Sequence, residues 1–162
     1  GERGPHGHAA DERQAVQELQ QRDREVRTHE QTHRSIGGQY AGSIHLDFEV
    51  GADGRRYAVS GSTPIDMSPV QGDPAATLRK MEVVQRAASA PASPSGADRQ
   101  VAAAAAQQAQ QARAEMAAER YGRARELARG GAESDDQGPG PVPPRAAPGS
   151  ELAPGSLLAI RG

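Results

Sequence analysis

The chain has 162 residues, a formal charge of −2, no Cys and only 2% aromatic residues. Balanced charge without stacking residues argues against nucleic acid as a partner, no apolar run approaches the roughly 18 residues of a membrane span, and disulfides, thiolate zinc sites and thiol nucleophiles are excluded. Leu, Ile, Val and Phe number 21 of 162, below the roughly 20% of a fully packed globule, so a small ordered core in a partly disordered chain is expected.

Residues 1–10 are polar and glycine-rich and are expected to be disordered. Over residues 11–35 the pattern is helical, with Val16, Leu19, Val26 and Ile36 recurring near multiples of a helical turn. Acid and base alternate through Arg22-Asp23-Arg24-Glu25-Val26-Arg27, which reads as a solvated helix surface. Gly37-Gly38 closes the helix, since glycine readily enters the left-handed conformation of a C-terminus. A hairpin follows. Ile44, Leu46, Phe48 and Val50 alternate with His45, Asp47 and Glu49, giving one apolar face. Gly51-Ala52-Asp53-Gly54 forms the turn, and Arg55-Arg56-Tyr57-Ala58-Val59 returns.

After an irregular stretch over 60–72, Asp73-Pro74 opens a second helix, Asp as cap and Pro at the first helical position. Its inner face is Leu78, Met81, Val84 (or Val83) and Ala88, and Pro91 ends it. Residues 97–129 form a long helix rich in Ala, Gln and Arg. Its large apolar residues are few (Val101, Met116, Tyr121 and Leu127), so it is expected to be exposed. From 130 to 162, Gly, Pro, Ser and Ala predict a disordered tail.

The chemistry lies in His29-Glu30-Gln31-Thr32-His33, an HExxH pentapeptide inside the best-patterned helix. Histidines four apart project from one helix face and can reach one zinc ion together. The intervening Glu30 is placed to take a proton from water and hand it to a leaving amine. Leu19, Val26, His29 and His33 share one stripe, so the imidazoles are expected to face inward. The fold class that follows is α+β and mostly helical. A zincin-like core over 11–92 holds the HExxH helix, hairpin and second helix, and the long helix follows it.

Asp23-Arg24-Glu25-Val26-Arg27-Thr28-His29-Glu30-Gln31-Thr32-His33, followed by Gly37-Gly38-Gln39-Tyr40-Ala41-Gly42, resembles the SprA-related family of bacterial HExxH metalloproteases. The likeness continues through Asp53-Gly54-Arg55-Arg56-Tyr57-Ala58-Val59, Ile65-Asp66-Met67-Ser68-Pro69-Val70, Gly72-Asp73-Pro74 and Lys80-Met81-Glu82-Val83-Val84. It ends in Asp98-Arg99-Gln100-Val101-Ala102-Ala103. The resemblance implies a zinc peptidase acting on a peptide or protein. It implies a bacterial protein, for which a soluble, cytoplasmic place is favoured because no signal-peptide h-region opens the chain. One departure stands out. Where the family carries Gly-Gly-Glu-Val, this chain has Ser60-Gly61-Ser62-Thr63, so Ser62 replaces an acid. His45 also stands where the family has a small residue.

A catalytic zinc takes three protein ligands, so HExxH is one short. Asp66 is the first candidate, from a matched motif in the irregular stretch; the alternative is a turn residue ahead of Ser68-Pro69. His45 and Glu82 are second and third, each otherwise a solvated surface residue. Tyr40 and Tyr57 are candidates for an oxyanion donor or for core packing. His6 and His8 offer loose, adventitious metal affinity. Besides a peptidase, a metal-binding relative acting as an interaction protein is kept open.

Overall fold

The computed structural model describes residues 5–135. Their order is α1 (Pro5–Gly37), a 3-10 turn (Gly38–Tyr40), β1 (His45–Val50), β2 (Arg56–Ser62), α2 (Pro74–Ser89) and α3 (Gly96–Asp135). This is the expected α+β, mostly helical arrangement of three helices and an antiparallel hairpin. Helix α1 starts at Pro5 rather than near residue 11. Proline suits a first helical turn, and Ala9-Ala10 carry high helix propensity. Of the tail expected over 130–162, residues 130–135 belong to α3, and the remainder lies outside the described residues.

One stripe of α1 is buried: Val26, Glu30, His33 and Gly37, separated by four, three and four residues. Ile36 is 47% exposed. Ten residues from Val26 leave it about 80° off that stripe, and Gly37 occupies the inner position instead. A Cβ on Gly37 would stand 2.9 Å from the Ala41 Cβ, closer than side-chain carbons come, and in ordinary contact with that of Ala87, so a side chain there would force the turn at Ala41 to shift. Gly38, at φ 54°, then ends the helix in the left-handed conformation that its sequence predicts.

The hairpin departs from simple alternation. Asp47 pairs with Ser60 but Phe48 pairs with Ala58, which leaves Val59 as the extra residue of a bulge. A bulge resets which side chains face inward, and consecutive Tyr57 and Ala58 are both buried. The apolar face expected of β1 is only partly covered. Leu46 is half-buried, whereas Phe48 and Val50 are 40% and 63% exposed. The guanidiniums of Arg27 and Arg56 lie 5.9 and 4.5 Å from the Phe48 ring centroid.

Two charges that read as solvated surface dock the hairpin. Arg22 Nε donates to the Val59 carbonyl at 3.0 Å, and Asp23 accepts from the Ala58 N–H at 2.7 Å. The Arg27 guanidinium and that N–H hold the Asp23 carboxyl below the usual carboxylate range.

Asp73 caps α2 by accepting from the Ala76 N–H at 2.8 Å, with Pro74 opening the helix. Met81 and Val84 are fully buried and pack with Ala105 and Ala109 of α3; Tyr40, Ile65, Met67, Leu78 and Val101 surround them. Burial of a Met or Val side chain contributes about 1.5–3 kcal/mol. The alanine helix is therefore not an exposed rod along its first turns. Ala105, Ala109 and Ala112 form a buried stripe, their small side chains allowing close approach. The first packed unit ends at Tyr121 and the second begins at Gly122; its described helical residues are exposed through Ala132.

Candidate metal centre

Helix α1 brings half-buried His29 and buried His33 together with Asp98, the third residue of α3. Their candidate ligand atoms all lie within 4.8 Å of one another, and the three side chains can hold a metal ion. The two Nε2 atoms are 3.0 Å apart. Asp98 Oδ2 lies 3.1 Å from His29 Nε2, and Asp98 Oδ1 lies 3.2 Å from His33 Nε2. Donors at about 2.0–2.1 Å around a tetrahedral ion are separated by roughly 3.3 Å, close to these spacings.

Neighbouring groups prepare the set for a cation. His33 Nδ1 donates to the Ala87 carbonyl at the end of α2, at 2.9 Å. A carbonyl only accepts, so the proton sits on Nδ1 and a neutral His33 presents a lone pair at Nε2. Burial works against ionisation of Asp98, but hydrogen bonds from the Ser95 backbone and side chain, joined by the neighbouring His33 and His29, outweigh it and hold the carboxyl below its usual range. Two imidazole nitrogens and a carboxylate thus converge where His33 is 3% exposed.

Glu30 is also buried, at 5% exposure. The Thr63 hydroxyl donates to its Oε2 at 2.7 Å. Gly61 walls the same side chain: a Cβ there would stand 2.7 Å from Glu30 Cγ and 3.0 Å from Leu46 Cδ2. His29, Glu30, Gly61 and Ser95 line one cleft of about 740 Å³, whose walls also include Arg22, Arg24 and the Pro91–Ser93 segment.

The structure does not bring Asp66 to this group. Lys80 Nζ donates to Asp66 Oδ2 at 2.7 Å, and the Ser68 N–H donates to Oδ1 at 2.9 Å. That ammonium, followed by the Ser68 hydroxyl and N–H, holds the Asp66 carboxyl far below its usual range. With a cation already on it, Asp66 fastens the segment after the hairpin to α2, which is the turn alternative raised above. The third position beside the histidines belongs to Asp98.

His45 is exposed on β1, paired with Ser62. Glu82 is exposed and meets Arg113 at 3.3 Å. Tyr40 packs on the core with Lys80 Nζ 5.2 Å from its ring, and the Tyr57 hydroxyl donates to Asp53. His8 is exposed on α1, and the His6 side chain lies outside the described residues.

Asp98 carried a readable signal. Ser95-Gly96-Ala97-Asp98 has the spacing of a helix capping box ahead of an alanine-rich run, which fixes a carboxylate at a helix start. Its distance from HExxH along the chain conceals its nearness in space.

No curated protein and no solved structure matches the chain. The sequence profile of the SprA-related family matches residues 5–128, a stretch that includes His29, Glu30, His33 and Asp98. Covering well over half the sequence, that match places this chain in the SprA-related family.

Proposed function

We propose that the chain is a zinc-dependent metallopeptidase, with His29, His33 and Asp98 as ligands and Glu30 as general base. The observation that carries this reading is the convergence of two imidazole Nε2 atoms and one carboxylate within 4.8 Å, with His29 and Glu30 both lining one cleft. Two histidines and a carboxylate, with a fourth position left over, suit a catalytic zinc. Bound there, zinc supplies Lewis acidity, which acidifies a water and polarises a scissile carbonyl.

The remaining work falls to the chain. His33 is held by Ala87 and Asp98 by Ser95, so two of three donors are oriented in advance. Thr63 occupies Glu30 Oε2 and leaves Oε1 to take the proton of the attacking water. The same oxygen returns that proton to the leaving amine nitrogen. The cleft, at about 740 Å³, offers room for a short stretch of polypeptide.

The test is direct. Purified protein is expected to hold one zinc per chain and to hydrolyse an unfolded polypeptide in a chelator-sensitive way. Glu30→Gln should abolish hydrolysis with zinc retained, because an amide cannot accept the proton. Zinc lost together with activity would make Glu30 a ligand or a structural support.

A second reading is a metal-binding relative without hydrolysis, serving as an interaction protein. The near-complete enclosure of Glu30, tied to Thr63, favours it. Zinc bound at full stoichiometry, with no hydrolysis by wild type or Thr63→Val, would select it.

A further inference from the structure

Asp98 belongs to two structures at once. It closes a reciprocal cap at the start of α3: the Ser95 backbone N–H donates to Asp98 Oδ2 at 2.7 Å, and the Asp98 N–H donates to Ser95 Oγ at 3.1 Å. This is a capping box with aspartate in the acidic position. The Arg99 N–H, 3.1 Å from the Ser95 carbonyl, begins the helical ladder, and Arg99 Nη1 ties down the Pro94 carbonyl at 2.7 Å. The same Oδ2 that accepts from Ser95 lies 3.1 Å from His29 Nε2, and its twin Oδ1 lies 3.2 Å from His33 Nε2.

The carboxylate is therefore aimed from behind. Without the Ser95 bonds, an aspartate in the first turn of a helix has several rotamers, and few of them present both oxygens to two imidazoles. With the bonds, one orientation is held before any ion arrives. Linkage makes the effect mutual, since whatever favours the ligating orientation is itself favoured by the ion.

Resting on the metal reading above, we infer that Ser95 is a positioning residue of the metal centre. Its cap holds Asp98 in ligating orientation, and metal binding in turn clamps the first turn of α3 onto α1. Ser95 touches no ligand atom of the histidines in this role; it acts through Asp98 alone.

The experiment is a calorimetric zinc titration of the full chain, paired with amide hydrogen exchange over residues 97–100. Wild type, Ser95→Ala, Ser95→Thr and Asp98→Asn are compared. Ser95→Ala keeps the backbone N–H that donates to Asp98 Oδ2 but removes the hydroxyl that accepts from the Asp98 N–H, which opens the reciprocal cap. It is expected to weaken zinc binding about 10-fold, with helix content retained by circular dichroism. Ser95→Thr, which keeps the hydroxyl, should restore affinity. Zinc should slow exchange at the Asp98 and Arg99 amides of wild type. Asp98→Asn can keep the cap but lacks the charge, so it should bind zinc weakly and show no zinc-dependent protection.

Ser95→Ala binding zinc as tightly as wild type overturns the inference while the zinc reading stands. So does wild-type exchange that zinc leaves unchanged; Asp98→Asn with wild-type affinity overturns the inference and removes Asp98 from the ligand set as well. Wild type that binds no zinc overturns the metal reading, and the inference with it. If Ser95→Ala fails to fold, the Ser95→Thr, Asp98→Asn and wild-type exchange arms still decide.

Discussion

At Asp66 the carboxylate meets the Lys80 ammonium at 2.7 Å, whereas at Asp98 it meets two imidazole nitrogens at 3.1 and 3.2 Å. Both carboxyls are held below the usual range, for different reasons. Lys80 dominates at Asp66; at Asp98 burial opposes ionisation, and the bonds from Ser95 together with the two histidines overcome it. The difference lies in the partner: an ammonium at Asp66, two imidazoles at Asp98. Asp66 already has its cation, so it fastens residues 63–72 to α2 and offers little to a metal. Asp98 instead meets two imidazole nitrogens, which donate to a carboxylate when they carry a proton and bind a metal when they do not, so an entering cation can share its partners. Two residues of one type, both inside the stretch that the SprA-related family profile matches, are separated in role by the side chains they face.

The sharpest way to break this comparison is metal analysis. The His29→Ala/His33→Ala double variant should lose zinc completely while keeping most of its helix content. Asp98→Ala should lose more affinity than the about 10–100-fold typical of partners behind a ligand, and Asp66→Ala should bind as wild type. The reverse ranking of the two aspartates in a zinc titration would exchange their roles.

The core beside the Asp66 strap offers the next largest effect. Met81 is fully buried against Ile65, Met67 and Ala105, so Met81→Ala should lower unfolding free energy by about 2–5 kcal/mol in a denaturant titration. A loss well under 1 kcal/mol would mean that this core collapses onto the gap.

A smaller effect concerns acid. Because the folded-state pKa of Asp66 is depressed, its contribution to stability is fully present above the unfolded value, about 3.9. It is lost as pH falls below that value and through the folded one. Asp66→Asn should therefore flatten the acid limb of stability between about pH 5 and pH 2 in zinc-free protein. An unchanged acid limb would mean that the Lys80 pair contributes nothing to folding.

The smallest expected effect is at Ser62. Gly61 abuts Glu30 and Thr63 bonds to it. Side chains alternate across a strand, so Ser62 between them points away and is exposed. Ser62→Glu should leave zinc affinity unchanged; a tightened titration would bring that carboxylate into the metal centre.

Much of this was legible locally. HExxH with apolar Val26 one turn earlier marks a helix face that turns inward, and Val26 and His33 are buried. Asp73-Pro74 states its own cap, and Gly38 its own left-handed stop. These are short-range matters, decided by propensity, spacing and backbone freedom within a few residues. The bulge at Val59 was not legible, because an unpaired residue in β2 is chosen by what Arg22 and Asp23 of α1 can bind. Nor was the use of the alanine helix, whose weak apolar pattern conceals a stripe that packs because it is small.

The sequence by itself determined the helix that carries His29, Glu30 and His33, the hairpin and the capped second helix, since each rests on contacts between near neighbours. It also determined Asp98 as a capping residue, through Ser95 three positions before it. Only the tertiary structure decided that this cap and not the Asp66 turn would stand beside the histidines. Lys80 and Asp98 are both distant from HExxH along the chain. Which carboxylate meets an ammonium and which meets two imidazoles depends on how α2 and α3 pack, through three-dimensional proximity that no local spacing encodes.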